Sequence, residues 1–197
     1  MDTETFDLAP QALVVARLAA AVPDTRLDGP TPCPDYRVRE LLGHLTGLAV
    51  AFRDAARKDL GASTATPPGT TRPVLPADWR EALPRALDEL AGAWRAPAAW
   101  TGATRAGGAD LPGAVAAAVA ADELVIHGWD LARATGQAYA PDPIALAVSH
   151  AFLKAAEEDR GTGVFGAVVR VPEDAPPLDR AVGLSGRDPR WTPTPEP

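Results

Sequence analysis

The sequence has few of the residues that build several common kinds of protein site. It contains a single cysteine, Cys33, which excludes an internal disulfide framework and any zinc site made from several cysteines. Only three histidines occur. A metal site in this chain would therefore have to combine a few imidazole nitrogens with carboxylate oxygens.

Long apolar runs and basic clusters are also absent. No run of about 18 uncharged apolar residues occurs, so no membrane span is expected. The N-terminal stretch MDTETFDLAP is acidic, unlike a secretory signal or a transit peptide, and a cytoplasmic protein is expected. The net charge is −7 and the arginines are scattered, so nucleic acid would be repelled. We expect a small-molecule partner, and a monomer or homodimer.

Apolar residues recur with helical spacing, and prolines and glycines interrupt them, which predicts an all-α bundle. One domain is expected over residues 1–190, with 191–197 as a disordered tail. The segment before the tail is Pro-rich and is predicted to be irregular, with one or two helical turns at PLDRAVGLS. Five helices are predicted. The first covers about 8–22, the second begins after TPCPDY and ends at Gly61, and the third covers 78–94. The fourth runs from near 112 to 135, where Gly136 ends it, and the fifth covers 143–158.

The stretch DELVIHGWDLARATGQ places polar residues on an apolar helix. At about 100° per residue, Glu123 and His127 lie about 40° apart, and Asp130 lies about 20° to the other side of Glu123. Alanine, valine and leucine residues occupy the same stripe, so this face is expected to point into the bundle. A buried carboxylate beside an imidazole is costly unless both are satisfied, and a divalent cation can satisfy both.

His44 meets the same geometric test on the second predicted helix. It shares a face with Leu41, Leu48 and Phe52, so it too is expected to point inward. Gly43 and Gly47 flank it and would leave space beside the imidazole or let a neighbouring helix approach. Two imidazoles and a carboxylate form a three-ligand set with an open position, which is typical of catalytic zinc. Asp130 could orient a ligating histidine by accepting a hydrogen bond from it.

Structural roles remain alternatives for each of these residues. His44 could be a hydrogen-bonded core histidine, Glu123 a solvated helix residue, and Asp130 a partner of Arg133 at i,i+3. Structural roles are also expected for three residues outside the set. His150 has no acidic partner at helical spacing on its N-terminal side, and Trp129 and Trp100 are expected to pack in the core. Cys33 precedes a helix, where a thiolate would be stabilised, but it lies between two prolines in a turn, which favours a structural role.

Three segments together resemble the actinobacterial proteins related to the N-terminal domain of mycothiol-dependent maleylpyruvate isomerase, within the DinB-like metal-binding superfamily. They are TPCPDYRVRELLGHLTG, DELVIHGWDLARATGQ and FGAVVRVPEDAPPLDRAVGLSGRDPRW. The resemblance implies a DinB-like four-helix bundle with a divalent metal held by His44, Glu123 and His127. Many DinB-like proteins use three histidines, whereas the isomerase-like branch replaces one by glutamate, as here. The isomerases carry a further C-terminal domain, which this sequence is expected to lack.

The resemblance implies a protein that uses a low-molecular-weight thiol, mycothiol, with zinc as the expected metal and nickel as an alternative. We expect a transferase or isomerase acting on a small electrophile, in which Asp130 orients a ligand and Trp129 shapes the wall of the site. Two alternatives remain open: a hydrolase that activates a metal-bound water, and a non-catalytic protein that binds a metal or small ligand.

Overall fold

The computed structural model describes residues 5–157 and 166–193. These ranges contain eight α-helices and one two-stranded sheet, and none of these helices is long and apolar enough to cross a membrane. In chain order the elements are α1 Ala9–Ala20, α2 Val38–Arg57, α3 Ala62–Ala65, α4 Trp79–Ala93, α5 Pro97–Trp100, β1 Ala103–Ala106, β2 Ala109–Pro112, α6 Gly113–Thr135, α7 Pro143–Ala155 and α8 Pro177–Leu184.

A four-helix bundle forms the centre of the protein. Helix α1 packs against α4 and α6, and α2 packs against the same two helices, so the four surround one core. That core is filled by buried leucines from three of them, Leu41 and Leu45 of α2, Leu87 of α4, and Leu124 and Leu131 of α6. Burial of this apolar surface is the main driving force for the arrangement. The predicted all-α, DinB-like fold class is confirmed.

Helix α6 is held in the bundle by polar contacts as well as by packing. The fully buried Gln11 of α1 donates a hydrogen bond to the carbonyl of Leu124 over 3.0 Å, and Tyr139 donates one to the carbonyl of Val125 over 2.6 Å. A Cβ atom on Gly128 would lie 2.9 Å from the Tyr139 hydroxyl, so a glycine is needed where that ring crosses the helix. These contacts fix the part of α6 that carries His127.

Strands β1 and β2 form an antiparallel hairpin in a region where the sequence predicted only a connection. Ala106 pairs with Ala109, and the two residues between them, Gly107 and Gly108, have φ values of 57° and 79°. Two positive φ angles in a two-residue loop are typical of a type I′ turn, which Gly-Gly adopts readily. The glycine pair was the available signal for this hairpin.

Helices α7 and α8 form a second layer against the bundle, with α7 packed on α6 and α8 on α7. The predicted turns at PLDRAVGLS correspond to α8, and Gly136 ends α6 with a φ of 70°, as expected. Helix α7 ends at Ala155, and Glu158, the predicted end, lies outside the described residues. The predicted tail covers residues 191–197, of which 194–197 also lie outside the described residues. Trp191, the first residue of that tail, accepts hydrogen bonds from Arg133 at its carbonyl oxygen.

Candidate metal centre

Helix α6 places Glu123 and His127 one turn apart on the side that faces α2. The Nε2 atom of His127 lies 3.1 Å from Oε2 of Glu123, as expected for side chains four residues apart on one helix. The side chain of His127 is 10% exposed and that of Glu123 is 30% exposed. The pair therefore lies at the edge of the core, where solvent reaches one side of it.

Helix α2 brings His44 to the same carboxylate across 79 positions of sequence. Nε2 of His44 lies 3.2 Å from Oε2 of Glu123, and the rings of His44 and His127 meet edge to face with centroids 4.7 Å apart. One ligand atom from each of the three residues lies within 4.8 Å of the others. Convergence of the three predicted residues is thus seen directly, and their role as ligands stays a prediction.

The spacing of these atoms fits a divalent ion. Zinc binds imidazole nitrogen and carboxylate oxygen at about 2.0–2.2 Å, so neighbouring ligand atoms of a tetrahedral site lie about 3.3 Å apart. The two nitrogen-to-oxygen distances here are 3.2 Å and 3.1 Å. The donor set of two nitrogens and one oxygen suits zinc and also other transition metals. Within residues 5–157 and 166–193 it is the one cluster of three or more potential ligands close enough to share an ion.

Without an ion, the cluster is held by its own charges. Burial would raise the pKa of Glu123, but hydrogen bonds from His127 and His44 hold it well below its usual range. Burial lowers the pKa of His127, but hydrogen bonds to Asp130 and Glu123 outweigh it and raise the pKa to about 9. At neutral pH the metal-free His127 is an imidazolium, and an ion bound at Nε2 would replace its proton.

Asp130 lies on the far side of His127 and is fully buried. Its Oδ2 atom is 2.9 Å from Nδ1 of His127, which leaves the other ring nitrogen directed at Glu123. Burial would raise the pKa of Asp130, but the charge of Arg187 and the hydrogen bond from His127 lower it. The carboxylate is therefore ionised and fixes the ring through Nδ1, an arrangement that is common around histidines that bind metals.

Comparisons with known proteins agree with this geometry. The profile of the family described as the mycothiol maleylpyruvate isomerase N-terminal domain matches residues 8–132, more than half of the chain. The chain belongs to this family. The matched region contains all three residues of the cluster and Asp130.

Relatives of this family member occur in mycobacteria. Two proteins of Mycobacterium tuberculosis, from strains CDC 1551 and H37Rv, are each 29% identical to it over 181 residues, which cover 87% of this chain and 91% of theirs. Both are described as uncharacterised. No solved structure matches the chain significantly. The relatives thus extend the similarity past the family match into the C-terminal segment without adding an activity.

The structural alternative for Asp130, an ion pair with Arg133, does not form. Arg133 donates instead to the carbonyl of Trp191, and its guanidinium lies 5.9 Å from the centre of the Trp129 ring. Trp129 itself packs in the buried cluster formed with α7 and α8, beside Ile126 and Leu153. These contacts place Trp129 in the packing of α6 against α7 and α8, and its role in the wall of the site stays a prediction.

The remaining residues considered in the sequence lie in three different settings. His150 is half-buried on α7, where burial and the charges of Arg180 and Lys154 lower its pKa. Trp100 is buried and donates a hydrogen bond to the carbonyl of Trp94. Burial and the charge of Asp130 raise the pKa of Cys33 to about 11, although Arg187 opposes this. Cys33 is therefore a neutral thiol, and the predicted effect of the following helix does not stabilise a thiolate.

Two residues at the site were missed in the sequence. Tyr36, just before α2, stacks its ring at a tilt against His44 with centroids 5.3 Å apart. Arg187, from the segment after α8, binds Asp130. The TPCPDY segment indicated a turn and the start of a helix but no contact between Tyr36 and His44, and nothing in the sequence relates position 187 to position 130. The expectation that a neighbouring helix approaches at Gly43 was wrong: the backbone of Val74, from the loop before α4, lies there instead.

Asp130→Asn should weaken binding of zinc by about 10–100-fold, the usual effect of changing a residue that orients a ligand. The amide can still accept from His127, but it carries no charge and cannot satisfy Arg187 on both oxygens. Competition titration with a chromophoric chelator measures the change. Asp122→Asn is the matched control, because Asp122 is also buried on α6 but accepts from Ser149 instead. Equal affinities for both variants and the unmodified protein would contradict the role of Asp130.

Proposed function

We propose that the protein binds a divalent metal through His44, Glu123 and His127 and uses it, with a low-molecular-weight thiol of the mycothiol type, to modify a small electrophile. The observation that supports it best is the meeting of two imidazole nitrogens at one carboxylate oxygen, from two helices, at 3.2 Å and 3.1 Å. Membership of a family named for a mycothiol-dependent isomerase supports the choice of thiol.

The residues of the site have different roles in this proposal. His44, Glu123 and His127 hold the ion, and Asp130 keeps the His127 ring turned so that Nε2 faces it. When bound, the ion supplies a Lewis acid that promotes loss of the proton from a thiol bound to it. The side chains of His44 and Glu123 are 24% and 30% exposed, which leaves a side of the cluster open to a thiol from solution.

In this proposal the thiol comes from outside the chain. Cys33 is the only cysteine, it is not part of the cluster of His44, Glu123 and His127, and burial raises its pKa to about 11. A protonated thiol is a poor nucleophile. An external thiolate sulfur would add to a carbon–carbon double bond conjugated with a carbonyl group, and the π electrons of that double bond would move to the carbonyl oxygen as an enolate. A transferase would then protonate the enolate at carbon and retain the carbon–sulfur bond. An isomerase would rotate about the former double bond and expel the thiolate as the double bond forms again.

Cobalt(II) substitution tests whether the open position takes a thiol. Titration of the cobalt protein with mycothiol or cysteine should add an intense near-ultraviolet charge-transfer band as sulfur binds the metal. The apparent affinity should rise with pH, because binding releases the thiol proton, until the free thiol ionises near pH 8.5. Turnover of an electrophile only in the presence of the thiol would support the proposed thiol-dependent activity.

Each rival function predicts a different result in the same samples. A cobalt spectrum unchanged by any small thiol, together with hydrolysis of esters or amides without thiol, would identify a hydrolase based on metal-bound water. Stoichiometric binding of a small ligand without turnover would identify a non-catalytic binding protein. Substitution of Glu123→Gln, which keeps the shape but removes the charge, serves as the metal-deficient control for all three measurements.

A further inference from the structure

The C-terminal segment reaches the metal centre through one side chain, Arg187. This residue follows α8 by three positions, and its backbone N–H donates to the carbonyl of Val182 over 3.1 Å. Gly186, immediately before it, has a φ of 88°, so the chain turns sharply and directs the arginine back towards α6. The guanidinium side chain is only 16% exposed.

The contact between Arg187 and Asp130 uses both carboxylate oxygens. Nε of the arginine lies 2.9 Å from Oδ1 and 3.1 Å from Oδ2, and Nη2 lies 2.9 Å from Oδ2. The same Oδ2 atom is 2.9 Å from Nδ1 of His127. A carboxylate that accepts two hydrogen bonds from one planar guanidinium cannot rotate freely. The position of the oxygen that accepts the hydrogen bond from His127 is therefore fixed.

The segment that carries Arg187 is itself fastened to the protein. The backbone N–H of Val169 donates to the carbonyl of Gly183 over 3.0 Å, and a Cβ on Gly183 would lie 2.5 Å from the carbonyl oxygen of Val169. On the other side, Arg133 of α6 binds the carbonyl of Trp191. Arg187 therefore extends from a fixed platform, which a residue that positions another one needs.

We propose that Arg187 is a positioning residue of the metal centre: it fixes the Asp130 carboxylate, and through it the His127 ring that would bind the ion. The inference rests on the proposed function for the identity of the ion. It adds a contribution from residues beyond the family match, which ends at residue 132. Arg187 acts through Asp130, and metal-binding strength is sensitive to such partners of ligand histidines.

Charge supports the same conclusion. Asp130 is fully buried, and an ionised carboxylate there is costly unless a cation accompanies it. Arg187 carries a permanent positive charge and is hydrogen-bonded to both oxygens of Asp130, so it accompanies the carboxylate whether or not His127 binds an ion.

The competing explanation is that the Arg187–Asp130 pair only fastens the C-terminal segment to α6. Arg187→Gln distinguishes the two, with Arg190→Gln as a matched control from the same segment, because Arg190 is 89% exposed and pairs with Asp188. Arg187→Lys is the second variant. It retains the buried charge and so protects against unfolding, but an ammonium cannot grip both oxygens of a carboxylate.

The experiment measures zinc and cobalt(II) affinity and the visible absorption of the cobalt protein, after circular dichroism has shown that each variant is folded. Arg187→Gln should weaken metal binding on the order of 10-fold and change the cobalt spectrum, and Arg187→Lys should change both in the same direction by a smaller factor. Arg190→Gln should match the unmodified protein. Unchanged affinity and an unchanged spectrum in the folded Arg187 variants would reduce Arg187 to a fastening of the segment.

A second measurement on metal-free protein separates this inference from the proposed function. The Nδ1 proton of His127, buried against Asp130, should give a slowly exchanging NMR signal that Arg187→Gln removes and Arg190→Gln preserves. If the unmodified protein bound no metal but this signal depended on Arg187, the proposed function would fail while the positioning role stood. A signal equally strong in Arg187→Gln would overturn the positioning role whether or not the protein binds metal.

Discussion

His127→Ala is expected to yield a protein that no longer binds stoichiometric metal. The substitution removes the predicted ligand nitrogen, which lies 3.1 Å from Oε2 of Glu123, and it leaves only one imidazole and one carboxylate of the predicted set. It also removes one of the two residues that hydrogen-bond to the buried Asp130, the other being Arg187. Two ligands on different helices hold a divalent ion far less tightly than three, so we expect a loss of at least about 100-fold in affinity, more than for the orienting residue.

Elemental analysis of protein purified without a nickel column measures the native content, and calorimetric titration of metal-free protein with zinc measures the affinity. His150→Ala is the matched control, because His150 lies half-buried on α7 outside the cluster. It should retain the metal content of the unmodified protein. Stoichiometric zinc in the His127→Ala protein, at unchanged affinity, would mean that the cluster is not the metal centre.

The bundle itself could be predicted because the helices that form it show local sequence patterns. Apolar spacing located α1, α2, α4 and α6, and Gly136 marked the end of α6 correctly. The hairpin at 103–112 was missed because its strands are only four residues long and lack β-branched alternation. Its two glycines carry the information, but a glycine pair in a predicted connection is equally typical of an irregular loop.

The ligand set could be predicted only in part from periodicity. Helical spacing places Glu123 and His127 together without further assumptions, since both lie on α6. It could not place His44 beside them, because the packing of α2 on α6 depends on the whole core. The family resemblance supplied that step. Arg187 was beyond reach for a different reason, since the turn at Gly186 that directs it to Asp130 depends on contacts with 166–169.

Gly113→Ala is expected to lower the free energy of unfolding by about 3 kcal/mol, at the upper end for overpacking a core. Gly113 is the first residue of α6, and a Cβ there would lie 2.2 Å from the carbonyl oxygen of Ala99 and 2.9 Å from the carbonyl carbon of Trp100. Both obstacles are backbone atoms of α5, so no rotamer change can relieve the clash. Lys58 donates to the same Ala99 oxygen, and the Trp100 indole is bound to Trp94, which resist a shift of α5.

Thermal unfolding followed by circular dichroism measures the effect, and about 3 kcal/mol in a chain of this size corresponds to a fall in Tm of roughly 6–12 °C. Gly92→Ala is the matched control, since Gly92 lies in α4 and, apart from its own turns of helix, no described atom lies within 4 Å of its added Cβ. An alanine there should leave Tm unchanged or raise it, because alanine favours a helix over glycine by about 1 kcal/mol. Equal Tm values for the two variants would show that α5 yields to the new methyl group, and that the start of α6 is less firmly fixed than its contacts indicate.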